Sequence, residues 1–163
     1  MPGAAAAMVA GMAQISLDSR FGPLCLAEAD GAICAVTWGH ADHPEETDLL
    51  RRAREQMQAY DAGELLAFDL PLRVSGADLV LAVCAEMSTI PFGATRTYGE
   101  IAARVGASAQ AVGQACGRNP IPVIIPCHRV MGAHGRLTGF SGGAGVETKV
   151  ALLRHEGAAS LLI

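Results

Sequence analysis

Two hydrophobic rhythms divide the chain. In "QISLDSRFGPLCLAEADGAICAVTWG", residues 14 to 39, short apolar runs are broken by Phe21-Gly22-Pro23 and by Asp30-Gly31, which predicts strand, turn, strand, strand. In "HPEETDLLRRAREQMQAYDAGE" the positions Leu49, Leu50, Ala53, Met57 and Tyr60 recur at near-helical spacing, with Thr47 or Asp48 as N-cap and Gly63 as the stop. "LAFDLPLRV" predicts one more strand. Pro71 within it has no N–H for a ladder and confines that strand to an edge. Residues 1–14 are Ala-rich and predict a flexible tail, so the first lobe spans 15–75 and is β-rich with one helix.

The rhythm then changes. "GADLVLAVCAEMSTI" predicts an apolar helix stopped by Pro91-Phe92-Gly93. "TYGEIAARVGASAQAVGQACGRNP" predicts helix, turn at Gly106, helix, with Ser108 capping the second and Asn119-Pro120 closing it. Two short helices joined through a glycine turn outline a helix-turn-helix. Ala109, Ala111, Gly113 and Ala115 are so small that the second helix could lie against another backbone, either a neighbouring helix or a nucleic-acid groove. The fold class expected is α+β with two lobes, the second, 76–163, mostly helical.

Composition sharpens this picture. The 163 residues are 51% hydrophobic and 4% aromatic, so Ala, Val, Leu and Ile must build the core. The net charge of -4 excludes a surface coated in basic residues, but the charge is unevenly spread. Residues 1–75 hold 5 Lys/Arg and 11 Asp/Glu (net -6), whereas 76–163 hold 7 and 5 (net +2). Between Glu100 and Glu147 no acidic residue occurs, while Arg104, Arg118, Arg129 and Arg136 do, which hints at a polyanionic partner. Five cysteines, at 25, 34, 84, 116 and 127, form no CxxC pair, so neither a disulfide framework nor a zinc knuckle is expected. A zinc site from Cys25, Cys34, His40 and His43 fits no standard spacing. With no charged n-region at the start and no apolar run of membrane-spanning length, the expectation is a cytoplasmic protein without membrane contact.

One stretch carries candidate chemistry. "IIPCHRVMGAHG" delivers Cys127 after Pro126 and beside His128. A thiol that acts as nucleophile needs a base within reach, and that base needs a third group to orient it; "LLRHEGA" offers Glu156. Spacing alone leaves open a packed thiol beside a core histidine.

The wider pattern "PCHRV", a Gly turn, "LTGFSGG" and "LLRHEGA", with "IPFGATRTYGEIAARVG" and "AVGQACGRNPIP" upstream, resembles the O6-alkylguanine-DNA alkyltransferase family. The similarity runs from Ile90 to Ala158 and extends more weakly over "FGPLCLAEADGAICAVTWG" and "FDLPLRVSG". The resemblance implies a ribonuclease-H-like first lobe and a winged-helix-like DNA-binding alkyltransferase domain over 76–163. It implies a monomer that needs no cofactor and no metal, and that meets double-stranded DNA through the minor groove. The lesion would be O6-alkylguanine, with O4-alkylthymine as a further candidate, and the alkyl group would pass once and irreversibly to Cys127.

Carried over position by position, His128 would take the thiol proton through a water, and Glu156 would hold His128 in its tautomer. Tyr98 would donate to the extruded guanine. Asn119 would hold the turn between the recognition helix and the active-site strand. Ser141 would approach the 6-oxygen, and the carbonyls of Cys127 and Val130 would accept from the guanine amino group. Arg129 would pair inside the protein. Ala109, Ala111 and Gly113 would let the helix enter the groove. Gln110 stands where the family places an arginine that fills the gap left by the flipped base; it keeps hydrogen bonding but lacks charge. Leu79 and Cys84 replace the family's aromatics, and Phe140 its tyrosine. The competing expectation is a non-enzymatic binder that flags alkylated DNA; such proteins replace the cysteine that this chain keeps. A cysteine hydrolase would leave the helix-turn-helix unexplained.

Overall fold

The computed structural model describes residues 12–137, 142–143 and 145–158. The chain divides into two compact units, one up to Arg73 and one from Val74. It adopts the α+β, two-lobed architecture that its hydrophobic pattern predicts.

In the first unit, β1 (Ala13–Leu17), β2 (Leu24–Ala29) and β3 (Ala32–Trp38) form an antiparallel sheet in chain order. Asp30 and Gly31 both take positive φ, 52° and 77°, as a two-residue turn matched to strand twist requires. Helix α1 (Asp48–Asp61) packs on all three strands. Thr47 caps it by accepting from Leu50 N at 3.1 Å, and Leu50, Ala53, Met57 and Tyr60 form its buried stripe. The strand expected in "LAFDLPLRV" is absent. That segment meets β3 at a single parallel bridge, Ile33 to Leu72. Ile33 N donates to Pro71 O at 2.8 Å, and Arg73 N donates to Ile33 O at 2.9 Å. Pro71 serves as acceptor only, and its missing donor leaves nothing to extend the ladder.

The second unit is helical. Helices α2 (Asp78–Met87), α3 (Tyr98–Val105) and α4 (Ala109–Cys116) pack on one another around Val80, Val83, Met87, Ile101, Val112 and Ala115. Each fully buried aliphatic side chain there contributes roughly 1.5–3 kcal/mol. The α3–α4 connection is the helix-turn-helix: Gly106 ends α3 at φ 72°, and Ser108 Oγ accepts from Ala111 N at 3.1 Å to start α4. A two-residue parallel pair, β4 (Arg96–Thr97) with β5 (Val130–Met131), ties the entrance of α3 to the chain just beyond Cys127. Helix α5 (Val146–His155) then lies against the Cys127 turn.

Candidate active site

No strand leads to Cys127, contrary to expectation. From Asn119 to Pro126 three prolines interrupt any ladder, and Val123 is held at φ 72°, a strained value for a β-branched residue. Asn119 holds this turn. Its Oδ1 accepts from Ile121 N at 3.0 Å, and its Nδ2 donates to Ile125 O at 2.9 Å. Pro126 (φ -82°, ψ 68°) is the centre of an inverse γ-turn closed by Cys127 N donating to Ile125 O at 2.8 Å. Cys127–Arg129 then forms one 3-10 turn that carries three chemically active side chains on successive residues.

His128 and Glu156 are both buried, at 0% and 4% exposure. His128 Nε2 lies 2.8 Å from Glu156 Oε2, so a neutral ring carries its proton there and presents Nδ1 as a lone pair. That Nδ1 is buried and has no hydrogen-bond partner among the described residues. Glu156 also receives both arms of Arg129: Nε to Oε1 at 2.8 Å and Nη2 to Oε2 at 2.9 Å. The third guanidinium nitrogen, Nη1, donates to Ile90 O at 2.6 Å, and the guanidinium lies 5.9 Å from the Phe92 ring centroid. Pro91 to Ala94 is a tight turn in which Gly93, at φ 85°, passes so close to Glu156 that a Cβ would meet its carbonyl at 3.3 Å.

The electrostatics favour neutral partners at rest. Burial raises the Cys127 thiol above its ordinary value, and the Asn119 side chain and Lys149 pull it partly back. Burial likewise lowers His128, against the pull of Glu156. The resting pair is therefore thiol and imidazole, and ionisation belongs to the reaction step.

Lys149 was not expected. It is 1% exposed on α5; its Nζ donates to Val130 O at 2.5 Å and lies 5.7 Å from the Tyr98 ring centroid. Burial lowers its pKa to about 8. The signal was present in the spacing: Lys149, Leu152, Leu153 and Glu156 stand at i, i+3, i+4 and i+7, one helical face with a charge at each end.

The remaining candidates are placed as follows. Tyr98 begins α3, fixed by a capping box in which Thr97 Oγ1 accepts from Glu100 N at 3.0 Å and Glu100 Oε1 accepts from Thr97 N at 3.2 Å. A Cβ on Gly113 would lie 4.0 Å from the Tyr98 ring, so the small residue there borders that ring. Ala109 and Gln110 are exposed and Ala111 is half-buried. The Cys127 carbonyl accepts from Val130 N, and the Val130 carbonyl is engaged by Lys149; each keeps a second lone pair. Ser141 and Phe140 lie outside the described residues. Of the four arginines in the acid-free stretch, Arg129 is spent on Glu156, while Arg104, Arg118 and Arg136 are exposed. Cys25 donates to Gln14 Oε1 and Cys34 lies on Met12, and no group of three metal-ligating side chains occurs among the described residues. No described helix is long and apolar enough to cross a membrane.

Known proteins resemble this chain over most of its length. Residues 78–158 match the family described as 6-O-methylguanine DNA methyltransferase, DNA binding domain. A methylated-DNA–protein-cysteine methyltransferase of Mycolicibacterium paratuberculosis is 41% identical over 158 residues, covering 91% of this chain and 96% of that protein. The crystal structure of Mycobacterium tuberculosis O6-methylguanine methyltransferase superposes with a TM-score of 0.78 at 40% identity, over 90% of this chain and 93% of that one. The same organism's OGT in complex with DNA gives 0.80 at 41% identity, over 90% and 96%. With similarity of this extent running through both units, the chain belongs to the methylated-DNA–protein-cysteine methyltransferase family.

Proposed function

We propose that this protein repairs alkylated DNA by direct reversal, moving the alkyl group from the 6-oxygen of guanine to Cys127 Sγ in a single irreversible turnover. The observation that carries the reading is the buried His128–Glu156 pair directly beside Cys127, with the base nitrogen of His128 unpartnered among the described residues. Sulfur attacks the alkyl carbon, the S–C bond forms, and the C–O bond to guanine breaks. The thiol proton passes by way of a water to His128 Nδ1, while Nε2–H remains on Glu156. Negative charge developing on the leaving guanine is met by donors at the pocket, for which Tyr98 at the start of α3 is the candidate and Ser141 a second. The acceptor is consumed because a thioether is no leaving group.

An alkylated base inside a duplex cannot reach a buried thiol, so the nucleotide has to be extruded, at a cost of a few kcal/mol. The exposed start of α4, Ala109 and Gln110, is the candidate groove-contacting surface, entering the minor groove with little side-chain bulk. Arg118 and Arg136 are exposed and supply candidate phosphate contacts, while Arg104, also exposed, is paired with Glu86.

Intact-protein mass after incubation with a duplex containing O6-methylguanine tests the reading. One added methyl group, mapped to Cys127 and absent in Cys127→Ala, is expected. Folded protein that binds the duplex without gaining mass would instead indicate a lesion-binding protein.

A further inference from the structure

We infer that Arg129 is a positioning residue for the transfer step: its guanidinium cancels the charge of Glu156 at the oxygen that also holds His128, and so keeps the imidazole a neutral base. The geometry is specific. Glu156 Oε2 accepts from His128 Nε2 at 2.8 Å and from Arg129 Nη2 at 2.9 Å, and Arg129 Nε closes the fork on Oε1 at 2.8 Å. Ile90 O and the Phe92 ring hold the other side of the guanidinium, and Arg129 is only 7% exposed. It has no freedom to reach a phosphate.

The need for such a group follows from what Glu156 does. A buried carboxylate orients the ring by accepting Nε2–H, but its charge also favours imidazolium. An opposite charge within a few ångströms moves a titration by roughly 1–3 units. A protonated ring has no lone pair at Nδ1 and cannot take the Cys127 proton. The fork removes that conflict, because a carboxylate joined to a guanidinium still accepts a hydrogen bond yet carries little net charge.

Burial lowers the imidazole most, Glu156 raises it, and Arg129 and Lys149 lower it. Other groups near the turn add little. On α5, Glu147 and Arg154 are exposed and His155 packs edge-on to Phe92. Helix α2 brings Cys84, Asp78 and Glu86, the last paired with Arg104. Strand β4 brings half-buried Arg96.

The inference rests on the transfer reading, and the test separates the two. The His128 ring is titrated by NMR in the full chain without DNA, and single-turnover transfer is measured against pH with the O6-methylguanine duplex. Arg129→Met should raise the His128 midpoint by about 1–3 units and carry the acid limb of the rate profile with it. Arg129→Lys should keep both near their original positions, and Arg129→Met combined with Glu156→Gln should bring the midpoint back. Breaking a buried ion pair from one side can prevent folding. Should Arg129→Met fail to fold, Glu156→Gln alone supplies the converse, a midpoint below that of the unaltered protein. An unmoved midpoint in either folded single variant, or a double variant raised as far as Arg129→Met, overturns the inference. A displaced midpoint without methyl gain on Cys127 would sink the transfer reading and leave the coupling standing.

Discussion

Lys149 donates through 2.5 Å to the carbonyl of Val130, the residue that closes the Cys127 turn. This contact places a cation in a nearly closed interior, 5.7 Å from the centre of the Tyr98 ring. An ammonium is stabilised poorly there, and its pKa falls from 10.5 to about 8, mainly through lost hydration.

Stability should record that burial. Between about pH 8 and 10.5 the unfolded chain holds a proton on this lysine that the folded chain has released, so stability from this group rises with pH across that window. A displacement of this size corresponds to roughly 3 kcal/mol. Below pH 8 the penalty is fully present. Urea unfolding of the protein and of Lys149→Met at pH 7.5 and pH 10 should show an extra gain at pH 10 in the former only. Equal pH dependence in the two would mean that Lys149 is neutral, or hydrated, at both values. The variant should also transfer more slowly, because Lys149 is one of the groups that lower the Cys127 thiol.

Gln110 gives a test on the DNA side. Helix α4 contains no charged residue, and Gln110 stands exposed in its first turn. Gln110→Arg should tighten binding to lesion-containing duplex by about 1 kcal/mol, roughly fivefold, through stacking and charge, and should speed transfer. Titrations at two salt concentrations, with single-turnover rates alongside, check this. An unchanged affinity and rate would show that another residue already supports extrusion.

Asn119 should be costly to remove. Its amide satisfies Ile121 N and Ile125 O, accepts from Cys84 Sγ at 3.8 Å, and helps to lower the Cys127 thiol. It also closes the turn that keeps Val123 at φ 72°. Asn119→Ala leaves the buried Ile121 N–H unpaired, at roughly 1–3 kcal/mol, and removes one of the two donors to Ile125 O, which keeps Cys127 N. A fall in thermal midpoint together with a loss of rate exceeding the loss of DNA affinity is expected. A stable, fully active Asn119→Ala protein would show that the prolines alone fix the turn.

Legibility from the sequence followed the range of the interactions. The caps at Thr47 and Ser108, the glycine end of α3 and the Asp30-Gly31 turn are local chemistry, and each stands where the pattern placed it. The missing strand at Leu72 depends on how much of a ladder β3 has left to offer, which no local alternation records. Cys127, His128 and Glu156 stood out by residue type and by resemblance. Lys149 did not, because a lone lysine in a helix is ordinarily a solvated one, and only its place on the Leu152–Leu153 face reveals that it points inward. The pairing of Arg129 inside the protein was expected from resemblance, but its sharing of one carboxylate oxygen with His128 is a matter of three-dimensional geometry.

The other thiols supply the last test. Cys84 and Cys116 are buried, and burial first, then the neighbouring Cys127, lifts them to about 11 and about 12. At pH 8 their thiolate fractions are then on the order of one in a thousand and one in ten thousand. Cys127 is buried as well, with the Asn119 side chain, Lys149 and the main-chain N–H groups of Cys127 and His128 acting to lower it, whereas Cys116 has only Lys149 and its own main-chain N–H and Cys84 has no such help. Under brief iodoacetamide treatment of the native protein at pH 8, Cys127 should be labelled ahead of Cys84 and Cys116, and all three should react in denaturant. Prior methyl transfer should block Cys127. Peptide mass mapping reads all of these outcomes in one experiment. Labelling of Cys116 before Cys127 would mean that the surrounding donors do not single out the acceptor, and that its reactivity arises only when DNA is bound.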